Sequence, residues 1–110
     1  MTPNNHPTSI KIFGQKYKVR YDYASEENNG ICEFDINTIF IKPNLPDDKT
    51  LRILAHEITH ALICQTPLAA RKRFNEEEVC DIVGFHFMDM LKDNPKLWEW
   101  LIKERDEEGA

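Results

Sequence analysis

His56-Glu57-Ile58-Thr59-His60 sets two imidazoles four residues apart, with a carboxylate directly after the first. At 3.6 residues per turn, positions i and i+4 share one helix face about 5 to 6 Å apart at Cβ, so both rings can reach one tetrahedral ion. Glu57 projects beside that axis, where it can take a proton from metal-acidified water instead of ligating the metal. The chemistry on offer is metal-dependent hydrolysis with a general base. The competing reading is a buried helix with hydrogen-bonded histidines and a solvated glutamate. Thr50 to Gln65, TLRILAHEITHALICQ, argues against it, because Leu51, Leu54, Ile58, Ala61 and Leu62 recur at helical spacing along one apolar face. Asp47 or Asp48, after Pro46, supplies the helix N-cap signal.

A third protein ligand decides the kind of site. The metzincin continuation requires glycine and histidine at the third and sixth positions after His60, where this chain has Ile63 and Thr66. The inverted HxxEH order is also absent, which leaves a downstream carboxylate, as in sites of two histidines and one glutamate. Asn75 to Asp81, NEEEVCD, opens a second amphipathic helix running to Leu91, with Val79, Ile82, Val83, Phe87, Met90 and Leu91 as candidate core residues. Its acidic first turn also compensates the helix dipole, and Asn75 is a natural N-cap. Glu77 is the chosen ligand, because Asp81 follows four residues later on the same face, where it can hold a ligand histidine in the required tautomer. Glu76 and Glu78 remain the alternatives.

With these residues in place the chain resembles the gluzincin metallopeptidases, and more closely the small ImmA/IrrE-type metallopeptidases of bacteria and mobile elements. The likeness covers about residues 31–91 and rests on Leu54-Ala55-His56-Glu57-Ile58-Thr59-His60-Ala61 and on Glu77, Cys80 and Asp81. Cys80 stands where that family has alanine. The resemblance implies a minimal zincin-like α+β domain and one Zn2+ per chain, held by His56, His60 and Glu77. It also implies a bacterial, phage or mobile-element source.

The elements that must position these residues read as a small antiparallel sheet followed by helices. Ile10 to Phe13 and Lys16 to Tyr23 flank Gly14-Gln15, a hairpin link, and Ile31 to Phe34 and Thr38 to Lys42 flank Asp35-Ile36-Asn37. Ser25 to Gly30 is a loop, and Pro43 and Pro46 end the sheet. Thr38 to Lys42 is the strand expected to run along the cleft and pair with an extended peptide. After Asn94-Pro95, a C-terminal helix from Lys96 to Glu104 is expected to pack Leu97, Leu101 and one of Trp98 and Trp100 inward.

The expected organisation is a flexible segment over residues 1–9, one domain over 10–104 and an acidic tail over 105–110. A net charge of −5 argues against partners bound through phosphates, and Arg71-Lys72-Arg73 reads as a solvated connector. Neither a leader-type apolar run nor a stretch of about 18 apolar residues is present, so no membrane contact is expected. Cys32, Cys64 and Cys80 are odd in number and form no CxxC pair, which fits buried thiols in a reducing cytoplasm. His6 falls in the flexible start, and His86 lies away from Glu77 on its helix. Tyr17, Tyr21, Tyr23 and Arg71 are candidates for stabilising an oxyanion.

The functional expectation is a zinc metallopeptidase, an endopeptidase acting on a peptide or protein substrate, with Glu57 as general base. The alternative is a non-catalytic, zinc-stabilised protein-interaction module.

Overall fold

A computed structural model describes residues 6–12, 14–65 and 75–109, with side chains described as far as residue 103. Four strands form one sheet: β1 (Ser9–Ile12), β2 (Gln15–Arg20), β3 (Gly30–Glu33) and β4 (Thr38–Ile41). Strict alternation in β2 sends Tyr17 and Val19 inward and Lys16, Lys18 and Arg20 to solvent. Gly14, at φ 81°, closes the β1–β2 hairpin in a conformation that suits a residue without Cβ. A single turn of 3₁₀ helix over Phe34–Ile36 links β3 to β4.

The strand order is β1-β2-β4-β3, and β2 pairs with β4 in parallel, Val19 opposite Ile39. The sheet is therefore mixed, a correction to the antiparallel expectation. Turn residues fix only the partner across each hairpin; how two hairpins meet is set by burial. The apolar run Ile39-Phe40-Ile41 takes the central place, where Ile39 and Ile41 are fully buried.

Helix α1 (Asp47–Cys64) packs across this sheet. Its N-cap is Pro46 and not Asp47 or Asp48, both of which lie in the first turn. Ile53, Leu54 and Ala61 join Ile12, Tyr17, Val19, Tyr21, Cys32, Ile39 and Ile41 in the core, with Ile58 packed beside them. Leu51 and Leu62, expected inside, are exposed, whereas Ala55, Glu57, Thr59 and Ile63 are buried. The reason is that α1 is covered on two sides, by the sheet and by the next helical run, so burial follows two stripes instead of one.

That run starts at Asn75, whose side chain accepts a hydrogen bond from the Glu78 backbone N–H at 3.1 Å. It comprises α2 (Glu76–Asp81), a π-helical turn over Ile82–Phe87 and α3 (Met88–Asp93). Cys80 and Gly84, one turn apart, are its buried residues, and Gly84 lets the backbones close up. A Cβ there would stand 2.8 Å from the Arg52 carbonyl oxygen and 3.1 Å from His56 Cβ. Among the expected core residues, Val79, Val83 and Leu91 are only half-buried, and Ile82, Phe87 and Met90 are exposed. The buried stripe runs through Cys80 and Gly84, one position on from Val79 and Val83, and the wide π turn over Ile82–Phe87 then shifts the helical phase, so a regular 3.6-residue pattern drawn from Val79 loses register with the neighbouring surface.

Helix α4 (Pro95–Gly109) continues through the expected tail, and it meets α3. Leu97, Trp98, Trp100 and Leu101 are all exposed, so neither tryptophan packs inward as expected. At the other end His6 is held in place: its ring lies 5.2 Å from that of Tyr21, and its Nε2 is 3.1 Å from Asp47. The Tyr21 hydroxyl donates to the Pro7 carbonyl at 2.6 Å, which ties down part of the segment expected to be flexible. Among the described residues no helix is long and apolar enough to cross a membrane.

Candidate metal centre

The i, i+4 spacing on α1 brings the His56 and His60 rings to 4.9 Å between centroids, inclined at 69°. Helix α2 lies against this face and brings its first turn onto the two rings. Glu77 bridges them: Oε2 is 3.3 Å from His56 Nε2, and Oε1 is 2.9 Å from His60 Nε2. The opposite ring nitrogens each have their own carboxylate. Asp81 Oδ1 lies 3.0 Å from His56 Nδ1, and Glu76 Oε2 lies 2.5 Å from His60 Nδ1.

The donor chemistry fits a metal ion. A neutral imidazole carries one N–H, so a ring met by carboxylates at both nitrogens must be an imidazolium or share a cation with one of them. With Nδ1–H donated to Asp81 or Glu76, both Nε2 lone pairs point towards the Glu77 carboxylate, a donor set that suits zinc and similar divalent ions. The structure also holds a second donor set. The ligand atoms of His56, His60 and Cys80 all lie within 4.8 Å of one another, a group able to hold a metal ion. The two sets share both histidines and differ in their third member, with the Glu77 side chain 68% exposed and Cys80 fully buried.

Glu57 is buried beside the pair, and desolvation raises its pKa. Positive charge on His56 and His60 would pull it back down, while Glu77 adds to the rise. Burial also pushes the Cys80 thiol up to about 12, reinforced by Glu76 and Glu77. A cleft of about 540 Å³ opens over these residues, walled by Asn28 to Cys32 and Phe34 on the sheet side and by Phe85 on the helix side. Gly30 is held close to this wall: a Cβ there would sit 2.8 Å from Ile53 Cγ2 and 3.5 Å from Glu57 Cγ.

The structure thus brings together His56, Glu57, His60, Glu77 and Asp81, all expected from the sequence. Glu76, weighed only as an alternative ligand, stands at the outer nitrogen of His60. The signal was available in the pattern, since adjacent glutamates followed by Asp81 can reach both sides of two rings. The strand beside the cleft is β3 and not Thr38 to Lys42, because β4 lies between β2 and β3 and both its edges are paired. None of Tyr17, Tyr21, Tyr23 and His86 lines the cleft. Tyr17 and Tyr21 are core residues, and burial raises the pKa of both phenols. Arg71 and its basic neighbours lie outside the described residues. Cys64, expected to be buried, is exposed at the end of α1.

The family model that matches the chain, over residues 6–97, is described as DA1-like, Protein DA1. This overturns the resemblance to gluzincin metallopeptidases of the ImmA/IrrE type, and the peptide-bond hydrolysis expected from that likeness is withdrawn with it. The physical reason is that metal geometry constrains a few residues on two helices, a pattern that separate families share, whereas the match takes in the sheet and the helices together. No curated protein and no solved structure matches the chain. Because the matched span takes in all four strands, both histidines and the carboxylates that face them, the chain belongs to the DA1-like family.

Proposed function

We propose that this chain is a metal-dependent hydrolase of zincin-like architecture, in which His56, His60 and Glu77 hold one zinc ion and Glu57 moves the proton. The observation that carries this reading is the convergence of both Nε2 atoms on one carboxylate while each Nδ1 has a carboxylate of its own. When bound, such an ion acidifies a water and polarises a substrate oxygen. The chain's residues do the rest. Asp81 and Glu76 hold the two rings in one tautomer, and Glu57 accepts a proton from water and returns it to the leaving group. Its burial favours the neutral carboxyl, which brings the group nearer to the range in which a base both takes and gives a proton. Three free thiols suit a reducing, cytosolic setting.

The test is metal content by plasma mass spectrometry on the wild type and Glu77→Ala, with metal-dependent turnover of an activated ester compared between the wild type and Glu57→Gln. About one zinc per wild-type chain, reduced in Glu77→Ala, with turnover lost in a zinc-loaded Glu57→Gln, supports the reading. A wild type that stays metal-free after reconstitution overturns it. Equal metal-dependent turnover in Glu57→Gln removes the proton role of Glu57.

A further inference from the structure

Resting on the metal centre above, we propose that Cys80 is a second, core-side ligand, so that the ion alternates between an open form held by Glu77 and a form closed to water by the Cys80 sulfur. Two features of the geometry lead here. The cysteine is part of a donor group, its ligand atom and those of His56 and His60 all lying within 4.8 Å of one another. It also differs from Glu77 in its access to solvent: Cys80 is wholly buried where α2 meets α1, whereas the Glu77 side chain is 68% exposed.

The difference in donor type gives the two forms different chemistry. Zinc accepts thiolate, imidazole and carboxylate alike, and a fourth protein ligand turns an open site into a closed one. Thiolate also biases the site towards thiophilic ions such as zinc and cadmium and away from magnesium, which takes oxygen donors. As the sulfur takes the place that water otherwise holds, one water and the thiol proton leave to solvent for each sulfur–metal bond formed. In that form Glu57 has no water to deprotonate, so departure of Cys80 is the step that opens the site.

Cobalt(II), titrated into the full chain, tests this through absorption. Visible bands report ion binding, and a near-ultraviolet sulfur-to-cobalt charge-transfer band reports thiolate. The expected result is one ion per wild-type chain with the charge-transfer band. The band should be lost in Cys80→Ser while the visible bands remain, and be kept in Cys32→Ser and Cys64→Ser. Azide should then bind cobalt-loaded Cys80→Ser more tightly than the wild type, because it has no sulfur to displace. A wild type that binds cobalt without the charge-transfer band overturns the role of Cys80 and leaves the metal centre standing. A band that survives in Cys80→Ser, or equal azide affinity in the two proteins, also overturns it. Absence of cobalt binding removes the metal centre and this proposal together. Should Cys80→Ser fail to fold, the chemical shift of bound cadmium in Cys32→Ser/Cys64→Ser decides, because Cys80 is then the sole thiol. A shift typical of oxygen and nitrogen donors alone overturns the proposal.

Discussion

His56 and Asp81 meet at 3.0 Å between Nδ1 and Oδ1, which leaves the other nitrogen of the same ring facing Glu77. Two carboxylates one helical turn apart on α2 therefore hold a single imidazole from both sides. Glu76 and Glu77, adjacent in sequence, hold His60 from both sides as well. The carboxylates alone hold both rings, which would lower the ordering that binding of an ion must impose.

Removing either outer carboxylate is expected to loosen the ion without unfolding the chain. Asp81→Asn and Glu76→Gln should each weaken zinc by about 10- to 100-fold, as outer partners of ligand histidines usually do. Competition with a chromogenic chelator measures this, and unchanged metal-free melting would separate ring orientation from a general loss of fold.

Gly84→Ala tests the close packing of α1 against the helical run after Asp81. The added Cβ meets a backbone oxygen of Arg52 at 2.8 Å and His56 backbone nitrogen at 3.1 Å, neither of which is a flexible side-chain end. Overpacking of this kind costs about 1 to 3 kcal/mol, which urea unfolding would show as a lower midpoint. Zinc affinity should fall as well, because the added methyl group pushes against the ring-bearing residue itself. Wild-type stability in this variant would reject the tight approach.

The thiols should separate by reactivity. Cys64 is exposed, whereas Cys32 and Cys80 are buried with pKa values pushed up to about 12, chiefly by desolvation. Alkylation of the native metal-free chain near pH 8 should modify Cys64 first, with the other two reacting on unfolding. For Cys32 the sign of the alkaline effect follows. Its folded pKa lies above the unfolded reference of 9.0, so its contribution to stability is complete below about pH 9 and is lost as pH rises towards 12. Cys32→Ala should flatten the decline in melting temperature over that interval, and an unchanged slope would count against the burial of this thiol.

Chelation should lower the melting temperature of the zinc-loaded protein, because an ion bound only by the folded state stabilises it by mass action. The Glu77→Ala protein should show a smaller loss on the same treatment. Equal losses in the two would mean that Glu77 does not hold the ion.

Glu57→Gln is expected to keep zinc and to lose about 10²- to 10⁴-fold in metal-dependent turnover, the usual scale for removing a general base. Its metal-free form should melt no lower than the wild type, since a neutral amide replaces a carboxyl whose ionisation burial already disfavours.

The sequence by itself determined what local spacing controls. Four-residue intervals on a helix put His56 beside His60, and Glu77 in line with Asp81, in whatever surroundings the helices have. Asn75 capped α2, and turn residues set the β1–β2 and β3–β4 hairpins. Family membership was not legible from the same residues, because a metal motif constrains few positions and recurs in separate folds. Only the tertiary structure decided the parallel pairing of β2 with β4, which placed β3 and not β4 beside the cleft. It likewise assigned Glu76 to His60, brought Cys80 to the histidines and left both tryptophans of α4 exposed. Each of these depends on which surfaces meet between distant segments. That is settled by the competition to bury apolar area across the whole chain, and no local period encodes its outcome.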